Sequence, residues 1–158
     1  MIPLSINEIH KNLLERKFKA EIQSSTQQIY IVFNHAGREF PLFIKVDETN
    51  GVLQLLIFLP CTMRPNAPQE VARLLHLLNK EMDLPGFGMD EQANVIFYRL
   101  VMLTHDKQIQ GDLLNNIITS MVRISGALLP TISSVAGGTY FEAISMEARK
   151  TLQKFSNK

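Results

Sequence analysis

Residues 70–103 read EVARLLHLLNKEMDLPGFGMDEQANVIFYRLVML, and within this stretch the chain passes from helix through a turn into a pair of strands. Val71, Leu74, Leu75, Leu78 and Met82 recur at a 3.6-residue period, with Arg73, His76, Asn79 and Lys80 opposite, which predicts a helix with one buried face. Pro85, Gly86 and Gly88 end it, because proline cannot continue the hydrogen-bond ladder and glycine accepts backbone angles that other residues resist. Phe87 and Met89 then lead into the polar turn Asp90–Asn94. The β-branched and aromatic run Val95–Leu103 follows, the pattern of a hairpin whose loop exceeds two residues.

Upstream, Ser5 and Glu8 have capping-box spacing, and Ile6, Ile9 and Leu13 line a first helix to about Lys17. The polar segment Lys19–Thr26 fits either an edge strand or a loop. Strand alternation follows over Gln28–Phe33 and Glu39–Val46, with the turn His35-Ala36-Gly37 between them, and Pro41 predicts an edge or end position because it cannot donate to a ladder. Asn50-Gly51 signals another hairpin into Val52–Leu59, where Gln54 alone is polar; a strand apolar on both faces is expected to be covered on both. Asn66, with Pro68 just inside and Gln69 after it, is expected to start the next helix. Downstream, Ile109, Leu113, Leu114, Ile117, Ile118 and Met121 open the longest helical pattern, which Pro130 should kink or end before Gly137-Gly138 stops it. Thr139 with Glu142 repeats the capping-box spacing ahead of a last amphipathic stripe, Phe141, Ile144, Ala148, Leu152 and Phe155, running to the basic tail Lys154 and Lys158. The predicted architecture is α+β: a two-layer α-β-β-β-α-β-β-α domain with an antiparallel sheet over residues 1–138, and an extra amphipathic C-terminal helix and tail over 139–158.

With 46% hydrophobic and 20% charged residues, 158 residues suffice for a real core without disulfide or metal staples. A formal net charge of +1 supplies no long-range field for nucleic acid or an anionic membrane. The single Cys61 forms no intramolecular disulfide, which fits a reducing cytoplasm, and the N-terminal segment lacks the basic start and apolar core of a leader. The longest strongly apolar run, Val52–Pro60, falls far short of the ~20 residues of a membrane span. The expectations are a cytoplasmic protein with no nucleic-acid partner and no membrane insertion.

Chemistry-bearing residues do not converge in the sequence. His10, His35, His76 and His105 show no spacing that presents two imidazoles to one metal. Gly86-Phe87-Gly88 starts like a dinucleotide fingerprint but follows a helix, and position 91 is Glu where glycine is needed. Asp83, Asp90 and Glu91 lie in turns, where carboxylates cap and solvate, and the basic residues Lys11, Arg16, Lys17 and Lys19 are interleaved with Glu8, Glu15 and Glu21. No catalytic, cofactor-binding or metal-binding residue is assigned.

The element order, together with Asn79 late in the second helix, Gly86-Phe87 followed by Asp90, Tyr98-Arg99 in the last strand and Pro130 late in the long helix, resembles the YbjN-like family of bacterial sensory-transduction regulators. Behind it stands the class I type III secretion chaperone fold. The resemblance covers Ser5 to about Gly138. It implies a two-layer α+β domain, often a homodimer, that binds other proteins and does not catalyse. The expected function is a non-enzymatic protein-binding module, a chaperone-like holder of an extended or effector-like client or a regulatory adaptor; the alternative is an enzyme with an unrecognised small-molecule pocket. Leu53, Leu55, Leu56, Ile57, Phe58, Phe141, Ile144, Leu152 and Phe155 are the candidate interface residues.

Overall fold

The computed structural model describes residues 1–156; Lys158 of the expected basic tail lies outside them. The elements are β1 (Ile2–Pro3), α1 (Ile6–Glu15), β2 (Glu21–Gln23), β3 (Gln28–His35), β4 (Arg38–Asp47), β5 (Val52–Phe58), α2 (Pro68–Glu81), β6 (Phe87–Asp90), β7 (Val95–Leu103), β8 (Gln108–Ile109), α3 (Gly111–Ala136) and α4 (Phe141–Ser156). The fold is α+β. Strands β2 to β7 form a six-stranded antiparallel sheet in the order β2-β3-β4-β5-β7-β6, and β1 pairs with β8 in a separate two-stranded sheet. The chain divides into two compact units, Met1–Ile57 with Arg99–Arg123, and Phe58–Tyr98 with the residues from Ile124 onward.

In the first unit, Ser5 caps α1 by accepting from the Glu8 N–H, but its own N–H donates to the Pro3 carbonyl, so only half of the capping box forms. Ile9 and Leu13 are fully buried, as are Ile29, Leu42, Ile44, Leu53 and Leu55 on one face of the strands. The open segment before β3 resolves into the edge strand β2, which pairs with β3 from Glu21↔Tyr30 to Gln23↔Gln28. Pro41 does not mark an edge: β4 lies between β3 and β5. The ladder to β5 begins at Leu42↔Ile57, so Pro41 pairs with Val32 of β3 just beyond it and withholds no donor from that ladder.

The β3–β4 hairpin turns on Ala36 and Gly37, at φ 51 and 75. Two left-handed residues suit the twist of a tight hairpin, but the left-handed region costs an alanine about 1 kcal/mol that asparagine or glycine largely avoids. Ala36→Asn is therefore expected to stabilise the protein by about 0.5–1 kcal/mol. A thermal melt with a midpoint unchanged or lowered would contradict this.

In the second unit, α2 starts without the expected asparagine cap. Ala67 takes the N-cap position in a helical conformation with no side-chain bond, and Pro68 at the first helical position needs no donor. Val71, Leu74 and Leu78 are fully buried, and Leu77, which lies off the periodic stripe read from the sequence, is buried too. Helix α3 runs through Pro130 to Ala136. Leu128, Leu129, Ile132 and Val135 are buried on both sides of the proline, so packing outweighs the one missing backbone bond. Gly138 at φ 109 then breaks the helix, with the Thr139 N–H returned to the Ser134 carbonyl.

By length and composition α3, at 26 residues, is long and apolar enough to cross a bilayer. Polar residues interrupt its sequence, so no single apolar run discloses this. Leu114, Ile118 and Met121 in the first unit, and Leu128, Ile132 and Val135 in the second, are buried, while Leu113 is exposed and Ile117 half-buried.

Candidate protein-binding surfaces

Alternation along β3, β4 and β5 leaves a second sheet face in the first unit. Tyr30 stands opposite Phe43, with ring centroids 6.2 Å apart, and Phe43 stands opposite Leu56, while Val32 faces Pro41. These side chains are half-buried or exposed, and Val32 and, on β7, Val101 expose 42% and 50% of their surface. An apolar row across neighbouring strands with no covering layer is the kind of patch that marks an interaction site. Of the candidate interface residues, Leu53, Leu55 and Ile57 point the other way and are wholly interior. Their neighbours Leu56 and Phe58 are half-buried, so an interface on this strand involves the even-numbered side chains.

The remaining candidates lie in the second unit, on α4. Ile144, Ala148 and Leu152 are buried, Phe141 and Phe155 half-buried. Helix α4 packs against α2. The expected Thr139–Glu142 capping box does not form. The Phe141 N–H donates instead to a Glu70 carboxylate oxygen at 2.7 Å, and Glu142 accepts from Arg73 at 2.6 Å. The Arg73 guanidinium also lies 4.6 Å from the centre of the Phe141 ring. A carboxylate across the interface thus replaces a local cap, which satisfies the same orphan donor and sits well against the positive helix end.

The hydrogen bond from Arg73 holds the Glu142 carboxyl below its ordinary value of 4.5. A depressed carboxylate adds stability that is fully present above the unfolded value and is lost as pH falls through the folded one. Docking of α4 is therefore expected to loosen on acidification below about 4.5 and, because the pair is exposed, with added salt. An Ala148 methyl resonance that stays unmoved between neutral pH and the carboxylate range would refute the coupling.

Of the residues that carry the family resemblance, Asn79, Gly86, Phe87 and Tyr98 form one bonded corner between α2, β6 and β7, while Pro130 lies in α3. Asn79 Oδ1 accepts from the Gly86 and Phe87 N–H groups at 3.1 and 2.9 Å, and its Nδ2 donates to the Phe87 carbonyl at 2.8 Å. Phe87 stacks on Tyr98 at 4.5 Å, and the Tyr98 hydroxyl donates to the Leu84 carbonyl at 2.6 Å. Burial pushes that phenol well above its ordinary value of 10, so it remains a donor. Asp90 accepts from the Gln92 and Ala93 N–H groups and shapes the turn. Gly88 pairs with Phe97, and a Cβ there would lie 2.7 Å from the Phe97 ring, so the glycine makes room for an aromatic across the strand. These motifs are structural.

Open surface clefts lie beside Glu81 and Arg149 and near the N-terminus. The one lined by Asn12, Arg16, Gln110 and Gly111 has its cation already paired, Arg16 with Asp112 at 2.6 Å. Among the described residues Ser125 and Thr131 are buried, as is the Tyr98 phenol, and no group of His, Cys, Asp or Glu is arranged to hold a metal. Cys61 is half-buried in the loop after β5.

Residues 5–133, most of the chain, match YbjN, described as "Putative bacterial sensory transduction regulator". The protein belongs to the YbjN family. The match ends before α4, so this YbjN protein carries its last helix outside the matched region. Its fold is similar to that of a chain in the HopA1–SchA chaperone–effector complex, with a TM-score of 0.56, 14% identity, and coverage of 77% of this chain and 90% of that one. A chain in the ExsC–ExsE complex gives a TM-score of 0.58 at 9% identity, covering 81% and 92%. At such identities the likeness is one of fold. No curated protein matches.

Proposed function

We propose that this YbjN protein is a non-enzymatic protein-binding module, a chaperone-like holder or regulatory adaptor, that works in the cytoplasm as a homodimer. The observation that carries the reading is the apolar row Tyr30, Phe43 and Leu56 on the uncovered sheet face, flanked by Val32 and Pro41. Burying such a row against water contributes roughly 25 cal/mol per Å2 of apolar surface, and a symmetric pair buries it twice. The fold shared with chains of two complexes, one of them a chaperone–effector complex, supports protein binding as the family's use of this architecture.

Light scattering over a concentration series tests the self-association. A mass of twice 17.9 kDa at micromolar concentration is expected. A mass of 17.9 kDa up to high micromolar concentration would overturn the dimer.

A further inference from the structure

The seam between α2 and α4 is built like a receptor with its ligand in place. Glu70, Arg73, Leu77 and Glu81 follow one another at helical spacing on a single stripe of α2. Glu70 and Arg73 engage Phe141 and Glu142 at the start of α4, and Glu81 lines one cleft with Arg149 and Leu152 further along α4. The two helices therefore run parallel, with an ion pair at the first end, Glu81 and Arg149 near each other at the second, and Leu77, Ile144, Ala148 and Leu152 buried. Three features set α4 apart from the rest of the unit. It lies beyond the family match, which ends at 133; it joins α3 through Gly137 and Gly138, the latter at φ 109; and its ion pair is exposed, with side-chain exposures of 47% and 67%. Exposed ion pairs contribute little stability, and a short glycine-bearing joint permits a helix to leave and return.

We propose that the outer face of α2, formed by Glu70, Arg73, Leu77 and Glu81, is a docking site for one amphipathic helix of a partner protein, and that α4 is its built-in competitor. The partner's chemistry follows from α4: an aromatic residue and then a glutamate at the helix start, with an aliphatic, a small and an aliphatic residue after it at the spacing of Ile144, Ala148 and Leu152. The proposal rests on the protein-binding reading and adds the site and the kind of partner. Because α4 is tethered, its effective concentration is on the order of millimolar, so a partner binds fully only when α4 is displaced.

The test uses the full chain and a fluorescein-labelled synthetic peptide of residues 139–156, read by anisotropy. Wild-type protein is expected to bind the peptide weakly, because its own α4 occupies the site. Protein carrying Glu142→Arg, a surface change that sets like charges together, should bind the wild-type peptide at least ~10-fold more tightly. Protein carrying Arg73→Glu should instead prefer a peptide with Glu142→Arg over the wild-type peptide by a similar factor. Ala148→Asp in the full chain supplies a second way of releasing α4 without touching α2. Hydrogen exchange of the α4 amides reports the release in each variant. Released α4 with no peptide binding, binding without the reciprocal charge preference, or α4 amides as protected in the variants as in wild type would each overturn the proposal. Those failures leave the sheet-face dimer untouched, since it is read by mass and in other residues.

Discussion

Asn79→Ala is expected to cost about 2–4 kcal/mol of folding stability. The Asn79 amide makes three hydrogen bonds to the backbone of the turn between α2 and β6. Each contributes roughly 0.5–1.5 kcal/mol net, and because the part-buried Gly86 and Phe87 donors are left without a partner the total lies toward the upper part of that threefold sum. Gly86 has φ 149, which a side-chain-bearing residue rarely adopts, so no local substitution re-forms the turn on its own. The loss continues into the strand, because Phe87 stacks on Tyr98 and both are buried. For a chain of this length about 2–4 °C of melting temperature is lost per kcal/mol. Asn79→Asp keeps the acceptor and loses the donor to the Phe87 carbonyl, so it should fall between wild type and alanine. A melting temperature within about 2 °C of wild type for Asn79→Ala would show that the corner is held by packing alone.

Leu56→Asp and Leu55→Asp should separate assembly from folding, although the residues are adjacent. Leu55 is wholly buried and Leu56 half-buried on the opposite face, where it stands against Phe43. An unpaired carboxylate at Leu55 has no water and no partner and costs about 3 kcal/mol or more, enough to unfold a marginal domain. At Leu56 the carboxylate keeps water on one side in a single chain. It loses that water only when a second copy covers the face, so the expected result is a folded chain at 17.9 kDa in place of a dimer. Circular dichroism and light scattering on the two variants decide the matter. A Leu56→Asp protein that stays folded and keeps its wild-type mass would remove the sheet face from the interface.

Periodicity and turn chemistry in the sequence determined the element order, because both are local: the stripe of Val71, Leu74 and Leu78, the alternation along Val95–Leu103 and Asn50-Gly51 need no knowledge of the rest of the chain. Where a residue's role depends on what lies across from it, the sequence pattern was insufficient. Pro41 sits in an internal strand because the β5 ladder stops one residue short of it. Asn66 yields the cap position of α2 to Ala67, and Thr139 yields the capping of α4 to Glu70, since a carboxylate on another helix reaches the free N–H first. Leu77 reads as a residue beside the apolar stripe until α4 lies over its side of the helix. The sequence marked Val52–Leu59 as apolar on both faces, but only strand pairing showed that Leu53, Leu55 and Ile57 fill the interior while Tyr30, Phe43 and Leu56 align on the open side. Cross-strand register and helix docking join residues far apart in the chain, and a pattern with a period of two or 3.6 residues carries no record of either.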